Sequence, residues 1–181
     1  VGIAGAGSIA FGTAALLAGN GHDPMLWSPS GAGTVALANG APLTVEGAIE
    51  AELTPRIATS AQQLAEENDC LLIALPAYGH KSVMDALAPH IRDGQHVIVS
   101  SHASLGAIYL GQKLAARNVM APITAWGTTA VTGRRQSPVQ VRVNTVRKLI
   151  DLCTVPSERS DEALALCQRL FGDRFQPRDG L

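Results

Sequence analysis

The sequence predicts an α/β fold: a Rossmann-type, doubly wound, mainly parallel sheet with helices on both faces and an additional β-rich extension. Three observations predict it. Short apolar runs alternate with helix-compatible stretches up to about residue 118, the order that places crossover helices between parallel strands. The first apolar run leads straight into Gly5-Ala6-Gly7-Ser8-Ile9-Ala10, a glycine turn of GxGxxA form between a strand and a helix. Beyond residue 118 the rhythm changes to strand-like stretches divided by turn residues.

Each element has a local reason. Val1 to Ala4 is apolar and closed by Gly5, as a buried parallel strand is. Ser8 to Ala18 is rich in Ala and Leu and stops at Gly19-Asn20-Gly21, a helix with a glycine terminus. Pro24 to Trp27 is a second strand with Pro first, where no ladder donor is lost. Ser30 to Asn39 reads as a helix with Ser30 as cap and Gly40 as stop. Leu43 to Leu53 reads as a hairpin turning at Glu46-Gly47, and Ile57 to Thr59 as a strand. Ser60-Ala61-Gln62-Gln63 matches a capping box before a short helix. Cys70 to Leu75 is the clearest buried strand, ended by Pro76. A helix over Lys81 to Ile91, a strand over His96 to Ser100 and a helix over Leu105 to Arg117 complete the core. In the extension, Met120 to Thr132, Pro138 to Asn144 and Arg147 to Val155 read as strands, with turns at Gly133-Arg134-Arg135 and near Asn144. Ser160 to Phe171 reads as a helix capped by Ser160.

Composition narrows the function classes. The chain has 181 residues, 46% of them hydrophobic and 16% charged, enough for one domain with a sizeable core. Fourteen basic residues face fifteen acidic ones, so there is no electrostatic footprint for nucleic acid. No apolar run is long enough to span a membrane. Cys70, Cys153 and Cys167 form no CxxC pair and read as buried thiols of a reducing, cytoplasmic compartment. No metal-ligand spacing or Ser-His-Asp order is present.

The glycine turn carries the chemistry. Gly5 lets the chain turn sharply, Gly7 leaves room for a pyrophosphate, and Ala10 keeps the helix close to the sheet. The helix N-terminus then offers free N–H groups to the phosphates. After the second strand stands Ser28-Pro29-Ser30-Gly31, with no acidic residue until Glu46. An acid there would bind the ribose 2′-hydroxyl of NAD. Its absence, with Ser28, Ser30 and Thr34 as donors, leans the cofactor expectation from NAD(P) in general to NADP, although no Arg is expected nearby to pair with a 2′-phosphate. Leu75, Pro76 and Ala77 follow the buried strand at the sheet edge where ligands bind. His80 is a candidate to line the cofactor or move a proton, and Ser100, Ser101 and His102 follow the next strand. The expected cofactor-binding set is thus Gly5, Ala6, Gly7, Ser8, Ile9, Ala10, Trp27, Ser28, Ser30, Leu75, Pro76, Ala77, His80, Ser100 and Ser101. His80 and His102 are the catalytic candidates, and Thr128, Thr129 and Arg134 the substrate candidates, the last as a fork for a carboxylate. The side chains of Trp27 and Trp126 read as packing, and His22, His90 and His96 as solvated element ends.

These motifs together resemble the N-terminal domain of the octopine/nopaline (opine) dehydrogenase family. The resemblance rests on the glycine turn, Gly21-His22, Leu26-Trp27-Ser28, Glu46-Gly47, Leu75 to His80 and Leu87-Ala88-Pro89. It continues through Thr128-Thr129 to Arg134, Val141-Arg142-Val143 and Val146 to Pro156. It departs at Ser100-Ser101-His102-Ala103, where Asn-Pro-Gly is common, and at Trp126-Gly127, where an acid is common. The resemblance implies an enzyme that joins an amino acid to a 2-oxo acid with NADH or NADPH. It implies a single cofactor domain here (core 1–118, extension 119–181), with the catalytic His and its acidic partner in a helical C-terminal domain beyond residue 181. The apolar tail would pack on that domain or on a second subunit of a homodimer.

Two alternatives stay open. One is a glycerol-3-phosphate dehydrogenase-like or ketopantoate reductase-like enzyme, which shares the first motifs; the former expects a Lys between Ser100 and Gln112, and none is there. The other is a non-catalytic nucleotide-sensing or interaction module, which would bind cofactor without turnover.

Overall fold

The computed structural model describes residues 1–101 and 105–180. Its first half builds the main sheet from β1 (Gly2–Ala4), β2 (Met25–Trp27), β5 (Arg56–Ile57), β6 (Cys70–Ile73) and β7 (His96–Val99), with β3 (Leu43–Gly47) and β4 (Ala51–Leu53) set apart. Between them run α1 (Ser8–Gly19), α2 (Val35–Ala38), α3 (Ala61–Glu66), α4 (Ala77–Leu87) and α5 (Gly106–Ala115). The second half adds β8 (Ile123–Trp126), β9 (Val131–Ser137), β10 (Gln140–Val146), β11 (Ile150–Val155), α6 (Ser160–Phe171) and β12 (Phe175–Pro177).

The main sheet has the order β12-β11-β8-β7-β6-β1-β2-β5. All its neighbours are parallel except β11, which runs antiparallel to β8. From β1 the chain winds outward to β2 on one side and to β6, β7 and β8 on the other. The strand order therefore reverses at β1, and a crevice opens at the carboxyl ends of β1 and β6.

Period-two alternation sorts the strand side chains between two apolar layers. Leu71, Ile73, Val97 and Val99 join Leu64, Val83, Leu87 and Leu110 under α3, α4 and α5. Leu72 and Ile98 face the other way, toward Phe11 and Ala14 of α1 and Phe171 of α6. Helices thus cover both faces, as the sequence predicts.

A second sheet, β4-β3-β10-β9, closes over α1. Its Val45, Val131, Val141 and Val143 share a core with Phe11, Ala14 and Ala15. α1 lies between two sheets and is apolar all round, which explains a helix with no polar stripe.

Several expected boundaries move. The Ser30–Asn39 helix reduces to Val35–Ala38, because Ser28 to Gly31 forms a turn in which the Gly31 N–H donates to the Ser28 carbonyl at 2.9 Å. The Leu43–Leu53 hairpin forms, but its turn follows Gly47, at residues 48–50. α4 begins at Ala77, since Pro76 at φ −59° already sets the chain direction ahead of it. Gly133, Arg134 and Arg135 lie inside β9, and the turn comes at Pro138-Val139. β10 runs through Asn144 to Val146. Ser160 is the first residue of α6, which follows a single 3₁₀ turn over Ser157–Arg159, so Ser160 does not cap it. β12 is an addition to the expected set. Ser60 does cap α3: its Oγ accepts from the Gln63 N–H at 3.0 Å, and Gln63 Oε1 accepts from the Thr59 N–H at 2.9 Å.

The three cysteines are free and buried. Burial pushes the Cys70 and Cys167 thiols up to about 12, the condition of inert packing thiols. No helix of the described residues is long and apolar enough to cross a membrane.

Candidate functional site

The site begins where β1 ends. Gly5 adopts φ +147°, and its N–H donates to the Trp27 carbonyl at 2.8 Å. A Cβ there would stand 3.2 Å from the Cβ of Ala10, itself fully buried. Gly7 then occupies the N-cap of α1, and among the described residues no side chain caps that helix. Among the described residues, nothing lies within 4 Å of where a Cβ on Gly7 would point. The first-turn N–H groups of α1 are therefore left for a ligand, and the dipole end favours an anion. An open, uncapped helix start beside a glycine turn fits a pyrophosphate.

A cleft of about 300 Å³ lies against this turn. Gly7, Ser8 and Ile9 form one wall, and Ala74, Leu75, Pro76 and Ala77 the facing one. Ser100 and Ser101 after β7 and Thr129 after β8 close it. The Ser100 N–H donates to the Ile73 carbonyl at 3.0 Å, and the Thr129 hydroxyl donates to the Val131 carbonyl at 2.6 Å. Nine of the expected site residues plus Ala74 thus meet in one place. None of these ten carries a titratable side chain, so among the described residues the cleft lining can bind and orient a ligand and holds no acid or base.

Other expected residues stand elsewhere. Trp27 is 6% exposed, so its indole belongs to the core and only its carbonyl serves the turn. His80 does not reach the cleft surface. Its ring is 5% exposed, and Nε2 donates to the Leu75 carbonyl at 2.9 Å. It holds the cleft wall from behind, which is a positioning geometry rather than that of a proton donor. His102 lies outside the described residues. Thr128 is half-buried and stands outside the cleft lining. Arg134 is exposed on the outer face of the second sheet, in register with Arg142, away from the cleft. His96, expected at a solvated end, is 4% exposed.

At the end of β2, Ser28 is half-buried and Ser30 exposed. Thr34 is not available to a ligand, because it is 4% exposed and donates to the Gly31 carbonyl at 3.2 Å. What sequence reading missed is Arg135. Its Nη1 donates to the Ala6 carbonyl at 2.7 Å, and its Nη2 to the Gly33 carbonyl at 3.1 Å. The guanidinium also sits 4.8 Å over the Phe11 ring. The expectation of no nearby arginine fails because the fold folds β9 back over α1. The one available signal was strand alternation: with 131–137 taken as a strand, Arg134 and Arg135 must face opposite ways.

The reversal of strand order and the open glycine turn at it define a dinucleotide-binding domain of the nicotinamide-dependent dehydrogenases. The chain belongs to the ketopantoate reductase PanE/ApbA family, whose model matches residues 1–152. It is also 31% identical, over 113 residues, to an opine dehydrogenase of Arthrobacter sp. (strain 1C); the match covers 61% of this chain and 31% of that protein. Octopine dehydrogenase, solved with NADH and pyruvate, shares the fold at a TM-score of 0.83 and 17% identity, over 99% of this chain and 50% of that one. Yersinopine dehydrogenase, solved with NADP+, does so at 0.78 and 18%, over 99% and 47%. The resemblance to opine dehydrogenases read from the motifs therefore holds. The chain spans 31% of its curated relative and 50% and 47% of these two solved chains.

Proposed function

We propose that this chain is the cofactor-binding domain of an NAD(P)-dependent oxidoreductase of opine type, acting on CH–NH bonds. The enzyme would condense an amino acid or other amine with a 2-oxo acid and reduce the product. The observation that carries this reading is the cleft between the uncapped start of α1 and Leu75 to Ala77. When bound, the nicotinamide supplies the hydride. This chain's residues bind and orient: the α1 N-terminus takes the pyrophosphate, and the apolar Leu75-Pro76-Ala77 wall with Ser100, Ser101 and Thr129 flanks the reacting end. The described lining residues hold no acid or base, and we assign proton transfer to a further, helical C-terminal domain, for which the greater length of the relatives leaves room. Thr129, at the edge of the cleft, would stand on the substrate side.

NADPH is the cofactor this reading favours. No carboxylate follows β2 to pair with a ribose 2′-hydroxyl, and Ser28 and Ser30 offer hydroxyls there. The free, buried thiols suit a reducing cytoplasm. A homodimer remains part of the proposal.

The family model favours a second reading, reduction of the carbonyl of a 2-oxo acid with no amine involved. The tests are sequential. Fluorescence titration of this chain with NADPH and NADH should give saturable binding, tighter for NADPH. The full-length protein should then oxidise NADPH only when an amino acid and a 2-oxo acid are both present. Oxidation with the oxo acid alone selects the second reading. Binding without turnover selects a sensing module, and no binding of either nucleotide overturns the cofactor site.

A further inference from the structure

Arg135 pairs with no acid among the described residues. Its Nε donates to the Ser137 carbonyl at 3.0 Å and its Nη2 also to the Pro138 carbonyl at 2.7 Å, in addition to the Ala6 and Gly33 carbonyls. Four of the five guanidinium N–H groups are thus held by neutral backbone oxygens. Carbonyls orient the fork but leave its charge whole. No salt bridge to Arg135 exists among the described residues. One Nη1 N–H stays free of any protein partner among them.

The place of this charge is informative. Ala6 lies in the glycine turn and Gly33 in the loop after β2, so the fork ties together the two loops that flank the adenosine end of a dinucleotide site. A Cβ on Gly33 would stand 2.6 Å from the Ala6 Cβ and 3.2 Å from Ser28 Oγ. Ala6, Ser28, Gly33 and Arg135 therefore form one cluster. Arg135 reaches it because it pairs with the buried Val141 in register, so its side chain leaves β9 on the α1 side and lies over Phe11 while the residue stays exposed to solvent.

We propose that Arg135, supplied from β9 of the second sheet, is the specificity-determining cation for the adenosine 2′-phosphate of NADPH, acting with Ser28. The inference rests on the dinucleotide-binding reading and assigns the charge that the β2 loop itself lacks. A 2′-hydroxyl gains little from such a cation, whereas a phosphate gains a charge-assisted hydrogen bond.

The test compares wild-type chain with Arg135→Met, Arg135→Lys and Ser28→Asp, using NADPH, NADH, 2′,5′-ADP and 5′-AMP as probes. Arg135→Met should weaken NADPH and 2′,5′-ADP by about tenfold or more while NADH and 5′-AMP change by less than about twofold. Arg135→Lys should lie between, because charge is kept and the fork is lost. Ser28→Asp leaves the Arg135 anchor in place and should turn the preference toward NADH, which keeps the question answerable if Arg135→Met does not fold by circular dichroism. Equal losses for NADPH and NADH, or no loss, overturn the proposal and leave Arg135 a loop tie. A wild-type chain that binds NADH but not NADPH also overturns it. A wild-type chain that binds neither overturns the dinucleotide reading itself.

Discussion

A Cβ on Gly5 would stand 2.2 Å from the carbonyl oxygen of Ala74. The two residues close the ends of neighbouring strands, β1 and β6, so the glycine is required by the sheet before any ligand is considered. Its φ of +147° adds backbone strain for any other residue. Gly5→Ala should therefore cost on the order of 3 kcal/mol of stability. Urea unfolding would show it as a lower midpoint with an unchanged slope; an unchanged midpoint refutes the close approach.

Gly7, two residues on, has the opposite character. No described residue lies within 4 Å of its missing Cβ, and its φ of −93° suits any residue. Gly7→Ala should leave stability within about 0.5 kcal/mol. The added methyl would occupy the space meant for the pyrophosphate, so NAD(P)H affinity should fall by about tenfold, or about 1.4 kcal/mol. Unfolding and titration on the same preparation separate the two effects. Full affinity in the variant would mean the phosphates bind elsewhere.

His80 holds the Leu75 carbonyl from behind the cleft. His80→Ala leaves that carbonyl without its donor and should cost about 1–3 kcal/mol. NAD(P)H affinity should drop with it, and His80→Gln, which retains a donor, should restore part of both. A large fall in turnover of the full-length enzyme with stability and affinity intact would instead make His80 a proton-transfer residue.

The parts legible in the sequence were those set by near neighbours in the chain. The β1 to β2 unit follows from short apolar runs and Gly5 to Ala10, and the Ser60 cap from a four-residue pattern. The two misread glycines share a distant cause. Gly47 and Gly133 both read as turn glycines, yet both lie in strands beside Val143. A Cβ on Gly47 would stand 2.3 Å from the Val143 carbonyl oxygen, and one on Gly133 2.5 Å from that of Arg142. These glycines answer to the close passage of β10, about a hundred residues away from Gly47 in the chain. Once Gly133 was taken for a turn, Arg135 became a solvated loop residue, and the cation at the adenosine end disappeared from view. The cleft walls were legible because each follows a clear strand. His80 was misplaced because the register of α4, four residues earlier than expected, decides which way its ring faces.

Trp126 anchors the far side of the sheet. It is fully buried, with the rings of Phe171 and Phe175 each 5.0 Å away. The cluster joins β8, α6 and β12 through one indole, so Phe171→Ala removes packing from three elements at once. The expected cost is about 3–5 kcal/mol, read by chemical denaturation. A loss below about 1 kcal/mol would mean that the site collapses around the gap instead of keeping a cavity.

His96 gives the stability of the domain a pH dependence. It opens β7, its Nε2 hydrogen-bonds the Thr124 hydroxyl at 2.6 Å, and Thr124 meets the Thr154 hydroxyl at 3.2 Å. Nδ1 is buried without a partner among the described residues. Burial pulls the ring down to about 4, with Glu162 raising it and Arg159 lowering it by smaller amounts; an unfolded chain holds the same group near about 6.5. Between those values the unfolded chain binds a proton that the folded one refuses. Stability therefore rises with pH across that window and falls as acid is added, levelling off below the folded value. The full span is on the order of 3 kcal/mol. His96→Gln keeps a partner for Thr124 and cannot titrate. Unfolding free energies measured from about pH 7.5 to about pH 4 should diverge between wild type and variant, with the wild type losing more. Carboxylates other than Glu162, which is coupled to the ring, titrate alike in both proteins and cancel in the difference. Parallel curves would show that His96 is protonated as readily in the folded protein as out of it.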